Sequence, residues 1–161
     1  MQVKIKHKKP SALKELIAKV DKMPQIALGF PRGKATAAQY PDGTSVLNVA
    51  FWNNYGTFDK NGNPHIPARR FMDTGGRRAS IELKPLIAKL LKSVNEGKMT
   101  SKDAAEIIGL KATAILKKEI TEIDEPPNAP ETIRKKKSSN PLIDTGLMRQ
   151  TVTFELRDKR K

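Results

Sequence analysis

The 161-residue chain contains no cysteine. That removes disulfides, thiolate metal sites and cysteine nucleophiles together, and it suits synthesis in a reducing cytoplasm. No apolar run approaches the ~20 residues of a membrane span. The N-terminal stretch Met1-Gln2-Val3-Lys4-Ile5-Lys6-His7-Lys8-Lys9 lacks the apolar centre of a signal peptide. A soluble chain with no membrane partner, not exported by that route, is therefore expected. Histidine is scarce: His7 sits in the basic tail, and His65 lies beside Pro64 without another cluster of ligand-type residues. A surface or packing role is expected for His65 rather than metal binding.

Acids are also few, 17 against 31 Lys and Arg, and they occur mostly singly. Asp103 and Glu106 complement the positive start of a helix, which is a sufficient structural reason for that pair. Asp124 and Glu125 fall just past the same helix. Hydrolytic or transfer chemistry needs paired acids, a nucleophile with its base, or a metal set. None presents itself, so the expectation is a protein that is not an enzyme, with no catalytic, cofactor-binding or metal residues and no cofactor. The stretch Gly29-Phe30-Pro31-Arg32-Gly33-Lys34 lacks the Gly-Lys-Ser/Thr ending of a phosphate loop.

What is present in excess is positive charge. The formal net charge is +14, which repels copies of the chain and attracts phosphate or acidic protein surfaces. Lys4, Lys6, Lys8 and Lys9, together with Arg134, Lys135, Lys136 and Lys137, are candidates for contact with DNA or an acidic partner. The basic runs interleave no aromatics, so stacking on single strands is not expected and any DNA contact would be nonspecific. Hydrophobic residues make up 37%, below the ~45–50% of a typical soluble domain. One domain spanning 1–161 with a thin core is the expectation.

Along the chain, a basic segment at 1–10 precedes a helix capped by Ser11, with Leu13, Leu16, Ile17 and Val20 at helical spacing and an end before Pro24. Ile26–Phe30 and Ser45–Phe51 read as strands. Tyr40-Pro41-Asp42-Gly43-Thr44 carries turn chemistry between them, which suggests an antiparallel hairpin. Asn53 to Pro67, with Gly56, Gly62 and Pro64, reads as a projecting loop. From Ala68 a helical stripe runs to Val94, interrupted by Gly75, Gly76 and Pro85, which predicts a kink or two helices. After Gly97-Lys98-Met99, Thr100 or Ser101 caps a helix bearing Ala104, Ala105, Ile107, Ile108, Ala112, Ile115, Leu116 and Ile120. Asn128 to Asn140 reads as an exposed basic arm. Gln150–Leu156 alternates as a strand that closes the sheet, and 157–161 should fray. The expected class is α+β, a small antiparallel sheet packed against one or two long helices.

Two stretches carry a resemblance. Tyr40-Pro41-Asp42-Gly43-Thr44-Ser45-Val46 leads into Asn54-Tyr55-Gly56-Thr57 and Ile66-Pro67-Ala68-Arg69-Arg70-Phe71-Met72; Pro127-Asn128-Ala129-Pro130 leads into Asn140-Pro141-Leu142-Ile143-Asp144-Thr145-Gly146-Leu147. Together they resemble the signatures of bacteriophage tail-completion and virion-morphogenesis proteins, with Arg70 standing where that family usually has proline. The resemblance implies a neck subunit of a tailed virion, assembled in the host bacterial cytoplasm. It also implies a ring of copies of the chain, hexameric in similar tail proteins, that joins the head–tail connector to the tail tube. It makes Asn54, Tyr55, Gly56, Thr57, Pro67, Arg69 and Phe71 an assembly loop, and Pro141, Leu142, Asp144, Thr145, Gly146 and Leu147 an assembly turn.

On elementary grounds, Gly56 tolerates positive φ in a sharp turn and Pro67 suits the first turn of the next helix. Asp144 is expected to bond the backbone ahead of it and so aim Leu147 into the core. An aspartic-protease reading of Asp144-Thr145-Gly146 would need a second matching aspartate and a β-rich fold, and the chain offers neither. A basic module that binds DNA nonspecifically is the alternative reading.

Overall fold

The computed structural model describes residues 12–31 and 38–158. Ser11, His7, the lysines of the N-terminal tail and most of the glycine-bearing loop after Pro31 lie outside the described residues. The fold is α+β, dominated by helices, with two small antiparallel sheets.

Helix α1 (Ala12–Asp21) ends before Pro24, as its sequence pattern predicts, although Ile17 of the apolar stripe is half exposed. Strand β1 (Gln25–Gly29) follows. Its partner is not the next apolar run. Val46–Tyr55 is helix α2, capped by the Ser45 hydroxyl, which accepts from the Leu47 N–H at 3.2 Å. The Tyr40–Thr44 turn does form, with Gly43 N–H donating to the Tyr40 carbonyl and Thr44 N–H to the Asp42 carboxylate, both at 2.9 Å. It opens a helix instead of a second strand. Val46, Ala50 and Asn54, spaced four apart, form the buried face of that helix.

The expected projecting loop at 53–67 is instead the last turn of α2 followed by a hairpin of β2 (Thr57–Phe58) and β3 (Pro64–Ile66). The Asp59 carboxylate closes the hairpin tip by accepting from the Asn61 and Asn63 N–H groups at 2.8 and 2.9 Å. Gly56 joins helix to hairpin with φ 78°, and a Cβ there would stand 2.8 Å from the Ile66 carbonyl oxygen.

Helices α3 (Phe71–Glu82) and α4 (Lys84–Asn95) meet at Leu83, because Pro85 fits the first turn of α4 and cannot continue α3. Gly75 and Gly76 do not interrupt α3. Gly75 lets α3 approach α5 (Ser101–Glu122) so closely that a Cβ would lie 2.6 Å from Leu116 Cδ1. Arg78 braces the same pair of helices, reaching Glu82 at 2.7 Å and Glu119 and Glu122 at 3.2 and 2.6 Å.

Helix α5 is shared by both parts of the core. Leu116 and Ile120 pack with Val46, Phe71, Leu142, Met148 and Val152, while Ala104, Ile108 and Ala112 pack with Ala79, Leu83, Leu90 and Val94. Its start is a reciprocal cap: Asp103 N–H donates to the Thr100 hydroxyl at 3.1 Å and Thr100 N–H to the Asp103 carboxylate at 3.2 Å. Thr100→Ala should cost about 1 kcal/mol. The hydrogen bonds from Thr100 hold the Asp103 carboxyl below its ordinary 3.8. A depressed folded-state value contributes stability above the unfolded value, and that stability is lost as pH falls through the folded one. Asp103→Asn should therefore destabilise at neutral pH and match the wild type once pH drops well below 3.8, as read by urea unfolding across pH.

The segment 128–140 is not an extended exposed arm. Pro130–Lys136 is helix α6, ended by Lys137 at φ 53°. Asn140 pins its base, donating to the Thr121 carbonyl at 2.8 Å and accepting from the Leu142 and Ile143 N–H groups at 2.9 Å. A short helix α7 (Leu147–Thr151) buries Met148 and takes up Gln150 and Thr151, which the alternation had placed in the last strand. Strand β4 (Thr153–Arg157) then pairs antiparallel with β1, Gln25 opposite Arg157 and Gly29 opposite Thr153. Arg157, expected to fray, thus closes the ladder, while 159–161 lie outside the described residues. Gly109 of α5 admits the Phe154 ring of β4, which a Cβ would meet at 2.3 Å.

Candidate functional site

Helix α2 is apolar on more than its core side. Next to the buried stripe of Val46, Ala50 and Asn54, the side chains of Leu47, Phe51 and Tyr55 follow one another at four-residue spacing on the outside. Phe51 is 59% exposed and Tyr55 55%, their rings 4.9 Å apart, and Phe58 on β2 is 68% exposed. Trp52 is also exposed. Four of the chain's eight aromatic residues (one Trp, two Tyr, five Phe) are thus turned to solvent between positions 51 and 58. Apolar side chains scattered singly on a surface need no explanation, whereas a local concentration of this kind is a candidate contact surface.

The residues named as an assembly loop divide into two groups. Tyr55 is exposed and joins the aromatic face. The others hold the local fold together. Asn54 is buried and accepts from the Met72 N–H at 2.9 Å, the Thr57 hydroxyl accepts from the Ile66 N–H at 3.2 Å, and Phe71 is fully buried edge-on to Phe30. Phe51, Trp52 and Phe58 were not singled out by sequence reasoning.

A groove of about 730 Å³ opens beside α2, between the Tyr40–Thr44 turn, the end of β3, and the 128–145 segment. Pro67, Arg69, Pro141, Leu142, Asp144 and Thr145 all line it, so the two stretches that carry the family resemblance meet here. Gly146 and Leu147 sit just beyond, at the start of α7.

Arg69 is the hub. It is 3% exposed, and its guanidinium donates to the Pro126 carbonyl at 2.7 Å, to Asn53 Oδ1 at 3.1 Å, and to the Pro127 carbonyl and Asn128 Oδ1 at 3.2 Å each. Burial pushes its pKa below the ordinary value. Lys136, expected on a solvated face with Arg134, Lys135 and Lys137, turns inward instead. Its ammonium donates to the Asn140 and Pro141 carbonyls at 3.2 Å each. Burial lowers its pKa, the Asp144 carboxylate opposes that, and the Arg69 charge adds to it. Tyr40 is raised, first by burial and then by the Asp144 charge. Arg134, Lys135 and Lys137 remain exposed, with Lys135 paired to Glu131 at 2.9 Å.

The Asp144 side chain is exposed, and among the described residues no hydrogen bond reaches it. The Thr145 hydroxyl is what accepts from the Leu147 N–H, at 3.3 Å, and the residue aimed deepest into the core is Met148. Asp144→Asn should therefore shift Tm by no more than about 2 °C. His65 is exposed on β3 at the rim of the groove, and the described residues contain no group of three His, Cys, Asp or Glu placed to hold a metal ion. No family model, no curated protein and no solved structure matches the chain.

Proposed function

We propose that the chain is a structural subunit of a tailed-phage particle, a neck or tail-completion protein that joins copies of itself into a ring between capsid connector and tail tube. Two things support this reading. One is the resemblance carried by Asn54-Tyr55-Gly56-Thr57, Ile66-Pro67-Ala68-Arg69 and Pro141-Leu142-Ile143-Asp144-Thr145-Gly146. The other, which carries the proposal, is the aromatic face of α2 and β2. A chain with so few aromatics exposes half of them within eight residues. Covering a side chain of this size gains about 1.5–3 kcal/mol, and a subunit that docks several at once recovers what its thin core leaves unused.

A ring built head to tail needs this face to meet a different surface of the next copy. Sedimentation and native mass measured alone, and then with purified connectors and tail tubes, test the reading. Ring-sized species in either setting are expected. A strict monomer that binds neither structure would count against it. The exposed Arg134, Lys135 and Lys137 of α6 would then face DNA in the ring's passage or an acidic neighbour.

A further inference from the structure

We infer that the groove beside α2 is a carboxylate-binding site whose occupant is an acidic side chain carried on a neighbouring protein. Arg69 lines this groove. A guanidinium has five N–H donors, and the four bonds above all end on neutral oxygens, which leaves one Nη1 hydrogen without a partner among the described residues. Lys136 has three ammonium hydrogens and uses two. Buried cations are ordinarily matched by a carboxylate. Here neither cation has an ion-pair partner among the described residues, although both line one cavity. Each holds the other's charge at a disadvantage, and a shared anion would relieve both.

The rest of the lining narrows the choice of anion. Val49, Ile66 and Leu142 offer apolar wall to an aliphatic stem, as on a glutamate. Asp42 and Asp144 also line the groove and disfavour a ligand with many negative charges, so a duplex backbone would bring phosphates against them. A single planar carboxylate meets the cations with less of that repulsion, and it suits the fork of an arginine. The volume of about 730 Å³ is in the range of small-ligand sites. Trp52 belongs both to the groove and to the aromatic face, so a neighbour seated on α2 reaches the groove directly. For a chain of net charge +14, an acidic contact also lowers the repulsion between assembled copies.

Trp52 is the only tryptophan and reports on the groove by its fluorescence. The test titrates the full chain, at a concentration where it sediments as a monomer, with N-acetyl-Gly-Glu-Gly-amide, its Gln counterpart and a short DNA duplex. A saturable change with the Glu peptide and none with the Gln peptide is expected. Lys136→Gln should weaken binding about threefold and Asp144→Asn should tighten it by a similar factor. Circular dichroism confirms that both variants fold. Equal responses to the Glu and Gln peptides would overturn the inference. So would indifference to both substitutions, or saturation by duplex where the Glu peptide has no effect. The site rests on the groove's geometry; only the source of the carboxylate rests on the assembly reading. A chain that binds the peptide but never assembles keeps the site and loses the ring.

Discussion

Replacing Arg69 by methionine should lower the unfolding free energy by about 3 kcal/mol, the cost of leaving several buried acceptors unmatched. For a chain of this size that is a fall in Tm of roughly 10 °C. The reason lies in what the guanidinium joins. It connects Asn53 at the end of α2 to Pro126, Pro127 and Asn128, which lie 57 to 59 positions beyond Arg69 along the chain. Methionine fills a similar volume but donates nothing, so Asn53 Oδ1 and Asn128 Oδ1 lose partners and the 126–128 turn comes loose from α2. Arg69→Lys should recover less than half of the loss, because an ammonium cannot serve four acceptors arranged around a planar fork. A stability indistinguishable from wild type in Arg69→Met would mean that water replaces the guanidinium without cost and that the hub is dispensable. Thermal and urea unfolding followed by circular dichroism give the answer.

Phe51→Lys with Tyr55→Lys should leave the monomer folded and weaken assembly by a factor of about 100 to 10,000, from 3–6 kcal/mol of lost aromatic burial. Both side chains are more than half exposed, so folding makes little use of them. An interface centred on them would lose its anchors and acquire two ammonium groups that must be stripped of water. Ala50→Lys, on the buried face of the same helix and 4% exposed, is the contrasting control. It should unfold the protein, since a charge would enter the core beside Val46 and Phe71. The pair of outcomes separates an assembly face from a structural one, read as sedimentation in the presence of connectors and tail tubes beside the unfolding curve of each variant.

The helix at Ser101–Glu122 was legible because its signals are local: a Thr100 cap, an acid three positions on, and alanines and isoleucines at one period. Pro85 marked the break between α3 and α4 for the same reason. Ser45–Phe51 reads as a strand although Val46–Tyr55 is a helix, because that helix shows little contrast between its faces. A helix that buries one face and offers aromatics on the other has no polar side, so the period that identifies a helix disappears, and Val46-Leu47-Asn48-Val49 looks extended. The exposed aromatics are among the residues that hid the helix. Thr57–Phe58 and Pro64–Ile66 are too short to show alternation, and Asp59 alone hints at their turn. The groove was beyond local reading altogether. Arg69 and Asn128 were both noticed, in separate stretches, but only the folded chain brings them to 3.2 Å, and a lysine inside a basic run gives no sign that it turns inward as Lys136 does.

On the proposed function, the α2 and β2 aromatic face is where this subunit meets its neighbours at the head–tail joint. A cryo-electron microscopy reconstruction of particles assembled with this chain tests it most directly. The expected result is a ring of the chain between connector and tail tube, with Phe51, Tyr55 and Phe58 covered by an adjoining copy or virion protein. A joint that lacks the chain, or a ring in which those three side chains still face solvent, would contradict it.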